Sequence, residues 1–453
     1  MTEWVHDLPD GIFEWIAEVG DGEITRLRRH VARREAWIVD VTRPDGSVLE
    51  GFLRLQRDTY GNPRLLERET RILQALGQND IPVPEIHGWN PELRATLMAR
   101  DPGRSDLDAI KDPAQQRAVM EDFVRIVARF HTIDLDTLGL DDVMAPRPQT
   151  PAACALDEVD RVLMQMGRPF EDCDDPLTVY GIDWLRRFAP KKVARVSLVQ
   201  GDTGPVNFMF QGDRVSSVID WELGHYGDPL EDLGNIMVRE LYNPSGGLDG
   251  LFELYERESG IPYDRFRARY YAVQQNVRGM MGIHAICNAA PPSQPLAWYL
   301  CYRYLGDRAT AQMLAAAMEI EVARPETPDD KDKVDPLVAG ALYAQEHDVA
   351  PRLDDPFARQ RSVQTMTLIR CIDRRARFGA WHEDEETRDL TELLGKRPAN
   401  AAIGNKQLCN LIRERAVEDA PLIRFLTRKA YRDEWLYEPV SVLYPNRVWS
   451  EID

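Results

Sequence analysis

Residues 197–222 read SLVQGDTGPVNFMFQGDRVSSVIDWE, and within them Asp202, Asn207 and Asp220 have the types and spacing to do chemistry. A short apolar strand (Ser197 to Val199) runs into Gly201-Asp202, small residues form a loop, and Asn207 opens a second strand. After the turn Gln211-Gly212-Asp213 a third strand, VSSVID, returns to Asp220. A hairpin brings its open ends together, so Asn207 and Asp220 are expected side by side with Asp202 just upstream, all three at one edge of a sheet. An amide oxygen and a carboxylate are hard donors of the kind magnesium prefers, which points to Asn207 and Asp220. Asp202, near the metal but outside it, is suited to orient a hydroxyl and accept its proton. Positioning, neutralised phosphate charge and one proton acceptor are what phosphoryl transfer requires. The competing reading is that Asp202 and Asn207 cap turns and Asp220 ends a strand. Glu222 stands two residues beyond Asp220, within reach of a metal or a water.

These groups need elements to hold them. WIVDV (37–41) and VLEGFLRL (48–55) are β-prone runs separated by Arg43-Pro44-Asp45-Gly46, which reads as a hairpin. Period-two alternation puts Leu53 and Leu55 on one face and Phe52 and Arg54 on the other. The segment PRLLERETRILQAL carries Leu65, Leu66, Ile72, Leu73 and Leu76 at helical spacing, with Glu69 on or beside the stripe. A carboxylate there wants a cation, and Arg54 is the candidate; a solvated Glu69 is the alternative. Residues 95–103 form a strand leaving into a turn. Asp228-Pro229 suits a helix start, Asp232 follows on that helix as a brace for the loop, and His131 and His225 lack metal-ligand spacing and suit hydrogen bonding.

GDTGPVNF, VIDWE and GDPLEDLG, with REAWIVDV, FLRLQRD, LLERETRILQAL, IPVPEIHGW and VARFHTID in that order, resemble the aminoglycoside phosphotransferase and choline kinase superfamily over residues 20–320. The spacing D-x4-N with a later strand-end Asp is that of protein-kinase-like catalytic and metal loops. The resemblance implies an α+β, bilobal protein-kinase-like fold, with a β-rich N-lobe and a mainly helical C-lobe. It implies ATP or GTP as donor with Mg2+, the nucleotide near Met98, and Arg54 in the place of the phosphate-contacting lysine, paired with Glu69. Gln200 stands where a histidine commonly precedes Gly-Asp, supporting the loop. Val206 replaces a common glycine, and RLRRHVARREAW lacks the glycines that would let backbone N–H groups approach phosphates. Within the superfamily the wording is closest to bacterial phosphotransferases resembling hydroxyacyl-CoA kinases, which work beside acyl-CoA dehydrogenases and a small helical partner. The segment from 336 onward resembles that partner, fused here.

The 453 residues imply two or three domains: a nucleotide lobe (1–100), a catalytic and acceptor lobe (101–324), a charged linker PETPDDKDKVD (325–335) and a mostly helical accessory domain (336–453) ending in WLYEPVSVLYPNRVW. The accessory domain is expected to contact the kinase lobes. A net charge of −19 disfavours nucleic acid and anionic membranes as partners. The six scattered cysteines read as buried thiols in a reducing compartment, and the acidic start matches neither secretory signal nor membrane span, so the expected location is cytoplasmic. The expected function is Mg-dependent phosphorylation of a small hydroxyl-bearing molecule. An antibiotic kinase, for which DEVD (157–160) and EDCDD (171–175) would offer acidic groups, and a nucleotide-binding pseudokinase acting as an interaction protein are the alternatives.

Overall fold

The computed structural model describes residues 8–30, 35–56, 64–165, 172–289, 294–330 and 334–443. In chain order they form α1 (Ile12–Gly20), β1 (Glu23–Arg29), β2 (Ala36–Thr42), β3 (Val48–Leu55), α2 (Leu65–Gln78), β4 (Ile86–Asn90), β5 (Ala95–Ala99), α3 (Pro113–His131), α4 (Pro151–Gln165) and α5 (Pro176–Phe188). Four short strands follow, β6 (Ser197–Val199), β7 (Phe208–Gln211), β8 (Arg214–Val218) and β9 (His225–Gly227). The rest is helical: α6 (Leu230–Tyr242), α7 (Leu251–Ser259), α8 (Arg265–Ala289), α9 (Leu296–Ala317), α10 (Pro336–Tyr343), α11 (Pro356–Leu394), α12 (Ala401–Arg413) and α13 (Asp419–Leu436). The chain divides into two compact units, Met1–Gln149 with Val193–Tyr263, and Thr150–Lys192 with Asp264–Asp453.

The first unit opens with an antiparallel sheet in the order β1-β2-β3-β5-β4. Alternation in β2, β3 and β5 sends Trp37, Val39, Val41, Leu49, Leu53, Leu55, Ala95 and Leu97 to one face, where Ile12 and Ile16 of α1 close a small core. Burying each large aliphatic side chain there stabilises by about 1.5–3 kcal/mol. The β2–β3 turn is closed by the Arg43 N–H donating to Ser47 O at 2.8 Å, and Asp45 Oδ1 accepts from the Ser47 N–H at 2.9 Å. Arg54 faces the other way, toward α2. That helix buries Leu66, Ile72, Leu73 and Leu76, and with them Glu69 and Thr70.

The expectation that the three polar groups lie along one edge of a single sheet is corrected: two separate two-stranded ladders form, β6–β9 and β7–β8. Left-handed backbone at Gly201 (φ 81°) and Val206 (φ 73°) turns the chain away between β6 and β7, and Asp220 (φ 59°) ends β8 two residues early.

The second unit gathers α4, α5, α8 and α9 with the C-terminal helices, so it is drawn differently from the segments set by sequence. Gly181 of α5 lets α8 come close: a Cβ there would lie 2.6 Å from Val277. The α13 side chains Leu422, Ile423, Phe425 and Leu426 are buried. Thr427 Oγ1 donates to Ala311 O, Gln312 Nε2 donates to the Tyr431 hydroxyl at 2.9 Å, Arg308 meets Glu434 at 2.7 Å, and Tyr304 stacks on Tyr437 at 4.1 Å. Within the charged segment at 325–335, Asp330 is bound by Arg374 and Arg377. Of the cysteines, Cys154, Cys301, Cys371 and Cys409 are buried, whereas Cys173 and Cys287 are half-buried, and no disulfide joins them. No described helix is long and apolar enough to cross a membrane. Residues 444–453, the last part of the aromatic C-terminal stretch, lie outside the described residues.

Candidate functional site

Strand register places Arg54 between Ala36 on β2 and Thr96 on β5, with Phe52 between Ile38 and Met98 in the adjoining row. The helix α2 crosses this face, and the Thr70 and Thr96 hydroxyls share a 2.6 Å hydrogen bond. One residue before Thr70, Glu69 meets Arg54 through Nη1–Oε1 at 3.4 Å and Nη2–Oε2 at 3.3 Å. Arg54 also lies 3.8 Å from Glu222 Oε2. Burial works against the charge on Arg54, but Glu69, Asp220 and Glu222 outweigh it and hold the guanidinium above its ordinary pKa. Met98 is buried in β5 beside Ile86 and Phe52.

The loop after β6 is shaped from below by Asp232 on α6. Its carboxylate accepts from the backbone N–H of Gln200 at 2.9 Å and of Gly201 at 3.0 Å, and from the Thr203 hydroxyl. His131 Nε2 donates to Asp232 Oδ2 at 2.9 Å, while His131 Nδ1 meets the Tyr255 hydroxyl at 2.8 Å. Burial alone would raise the pKa of Asp232, but these donors, led by His131, hold it below the usual carboxylate range. Gln200 closes the other side, its Nε2 donating to Ile219 O at 2.6 Å. His225 bridges Leu223 O at 2.9 Å and Glu231 Oε2 at 3.0 Å. The helix start is displaced by one residue from the sequence expectation: Leu230 is the first helical residue, and Asp228 Oδ1 accepts its N–H at 3.1 Å.

Above this scaffold the structure brings Asp202 and Asn207 together, Nδ2 donating to Asp202 O at 2.6 Å and to Asp202 Oδ2 at 3.0 Å. With its nitrogen committed there, Asn207 keeps its amide oxygen as a lone-pair ligand for a cation. The Ile219 N–H donates to Asn207 O at 3.0 Å, which seats Asp220 next to Asn207. Asp220 is pushed up to about 7, first by burial and then by Glu222 and Glu69, with Arg54 opposing. Buried carboxylates around one guanidinium favour an added cation, and oxygen-only donors fit Mg2+. Val206 holds its left-handed φ despite a branched Cβ, a strained conformation for that side chain.

Sequence reasoning missed Arg239, whose Nη2 binds Asp202 Oδ2. Its signal was available: Arg239 follows Asp232 by about two helical turns and so shares its face of α6. It also missed Tyr255 and Thr203 as partners in the Asp232 network.

A family model described as the phosphotransferase enzyme family matches residues 32–271. The chain is similar to acyl-CoA dehydrogenase family member 10 of Mus musculus, 26% identical over 228 residues, covering 47% of this chain and 20% of that protein. It is also similar to acyl-CoA dehydrogenase family member 11 of Rattus norvegicus, 28% identical over 183 residues, covering 38% of this chain and 23% of the other. The chain thus spans about a fifth of the length of these curated relatives. A solved structure from Ralstonia eutropha, described as a candidate aminoglycoside phosphotransferase, superposes with a TM-score of 0.53 at 22% identity, covering 68% of this chain and 96% of that one. The likeness shows a shared kinase-like α+β fold.

Proposed function

This chain belongs to the phosphotransferase enzyme family, and from that premise we propose that it moves the γ-phosphoryl group of ATP or GTP to the hydroxyl of a small molecule. The observation that carries the reading is the meeting, within one compact unit, of the Asp202–Asn207 pair with Asp220, Glu222 and the Arg54–Glu69 ion pair. Arg54, fixed by Glu69, contacts donor phosphates through its planar fork of N–H donors. Asn207, through its amide oxygen, and Asp220 would hold Mg2+, with Glu222 beside them; bound metal supplies neutralisation of phosphate charge. Asp202, oriented by Asn207 and Arg239, aligns the acceptor hydroxyl and takes its proton as the oxygen attacks phosphorus. Asp232 keeps the loop in the shape this requires. The nucleotide lies along the sheet face that carries Met98.

For the acceptor we infer a hydroxyacyl-CoA or a related hydroxy compound. The names of the curated relatives, both acyl-CoA dehydrogenase family members, support an acyl-thioester context. The acidic run at 157–160 gives less support to a cationic sugar, since Asp160 lies 3.2 Å from Arg186 and Glu158 lies 2.5 Å from Arg161. A screen of nucleotide consumption against hydroxyacyl-CoA thioesters, free hydroxy acids, aliphatic and aromatic alcohols and aminosugars tests both levels. Consumption driven by the thioesters is expected. Turnover confined to aminosugars would overturn the acceptor class, and no acceptor-dependent turnover in any arm would favour a pseudokinase.

A further inference from the structure

Asp202 is the proposed base, so an acceptor hydroxyl must come within about 2.6–3.2 Å of its carboxylate. Whatever stands beside that carboxylate also faces the acceptor. Arg239 stands there, in the last turn of α6, where the helix C-terminus favours a cation, and its Nη2 binds Asp202 Oδ2. The loop itself holds the arginine in place. Gly204, with φ 136°, lies so close to α6 that a Cβ would come within 2.8 Å of Arg239 Cβ and Cγ and 3.7 Å of Ile236 Cα. The missing side chain lets the loop rest on the arginine stem and keeps the guanidinium at Asp202.

Orienting Asp202 does not require this cation. Asn207 Nδ2 already donates to Asp202 O at 2.6 Å and to Oδ2 at 3.0 Å, fixing the carboxylate with a neutral group. Asp232, which braces the loop, is fully buried with its partner His131, whereas the side chains of Asp202 and Arg239 are 28% and 17% exposed. A guanidinium that touches the base and is open to solvent presents positive charge to the part of the acceptor next to its hydroxyl. It repels an ammonium there and attracts a carboxylate or carbonyl oxygen.

We propose that Arg239 is a specificity-determining residue of the acceptor site, donating to an acyl oxygen, of a carboxylate or a thioester, carried a few bonds from the reacting hydroxyl. The inference rests on the phosphotransferase reading above and adds to it the side chain that chooses among acceptors. A guanidinium has several N–H donors, and with Asp202 on one and the acyl oxygen on another, ordinary hydrogen-bond lengths put the two acceptor oxygens roughly 3–6 Å apart. That separation suits a hydroxyl two or three carbons from the acyl carbon.

The test gives the full chain, with Mg-ATP, a matched set of acceptors. They are 3-hydroxybutanoate and 4-hydroxypentanoate, each as free acid and as CoA thioester, pentan-2-ol, which lacks the acyl oxygen, and 4-aminobutan-2-ol, which replaces it with an ammonium. Wild type is expected to favour the best acyl acceptor over pentan-2-ol by about tenfold or more in kcat/KM, the scale of one charge-assisted contact, and to leave the amino alcohol untouched. The acid and thioester arms show which form of acyl oxygen is read. Arg239→Gln should raise the KM of that acceptor about tenfold and cut its advantage over pentan-2-ol to within about threefold, while Arg239→Lys keeps most of the preference. Acceptor binding measured by calorimetry with ADP present should weaken in Arg239→Gln even where turnover is too slow to resolve, and unchanged Mg-ATP affinity shows that the variants are folded. An arginine that only orients Asp202 would lower kcat for every acceptor alike. Wild-type discrimination retained by Arg239→Gln, or wild-type turnover of alcohols or aminosugars but of no acyl acceptor, overturns this inference alone. No acceptor-dependent turnover by wild type with any acceptor overturns it together with the functional reading.

Discussion

A buried carboxylate needs a full set of donors, and Asp232 receives them from two backbone N–H groups, Thr203 and His131. Its folded-state pKa is depressed, so its ionised form is the one the fold stabilises. That contribution is fully present above the unfolded carboxylate's pKa, about 4, and is lost as pH falls through the depressed folded value. Asp232→Asn should therefore cost about 3 kcal/mol near neutrality, with a gap to wild type that narrows in acid. Urea unfolding at a series of pH values checks this; an equal gap at pH 3 and pH 7 would contradict it. The carboxylate's bracing position was legible, because an acid in the first turn after Asp228-Pro229 lies close to the preceding loop. Its distant partner was not: His131 reaches it from α3, 101 residues earlier, and is itself bonded by Tyr255 of α7, a meeting that no local periodicity encodes.

At the scale of elements, local pattern carried far. Alternation along residues 48–55 placed Arg54 opposite the leucines, and helical spacing put Glu69 on or beside the α2 stripe; the structure has Arg54 on that opposite face and Glu69 buried among the apolar residues of α2. Alternation does not say which strands pair, so the β6–β9 ladder, joining segments on either side of the β7–β8 hairpin, was not readable. The joint between α5 and α13 was equally hidden. There Asp419 accepts from Arg187 Nη1 at 3.0 Å and Nη2 at 2.7 Å, and from the Tyr180 hydroxyl at 3.0 Å. Burial, and then Asp419, push the Tyr180 hydroxyl well above its ordinary pKa, so it remains a donor. The joint is partly solvent-exposed, which discounts its charge term. Asp419→Ala should lower stability by about 1–2 kcal/mol in chemical denaturation, and no change would show that the pair is only a surface contact.

For the molecule as a whole, the charged segment at 325–335 remains the expected site of limited proteolysis, yet the helices on either side of it are packed within one compact unit. Cleavage should leave fragments that co-elute under native conditions and part in denaturant, held by α13 on α9 and by Arg308–Glu434. Separation of folded fragments on native gel filtration would instead make residues 336–453 an independent accessory domain. The central proposal is that side chains of the first unit, from a sheet, two loops and α6, carry out phosphoryl transfer. Asp202→Asn compared with wild type, in Mg-ATP binding and in turnover of the acceptor selected by screening, tests it most directly. The account predicts nucleotide affinity within a few fold of wild type and turnover lower by roughly 10²-fold or more, the scale of losing a general base; undiminished turnover in that variant would contradict it.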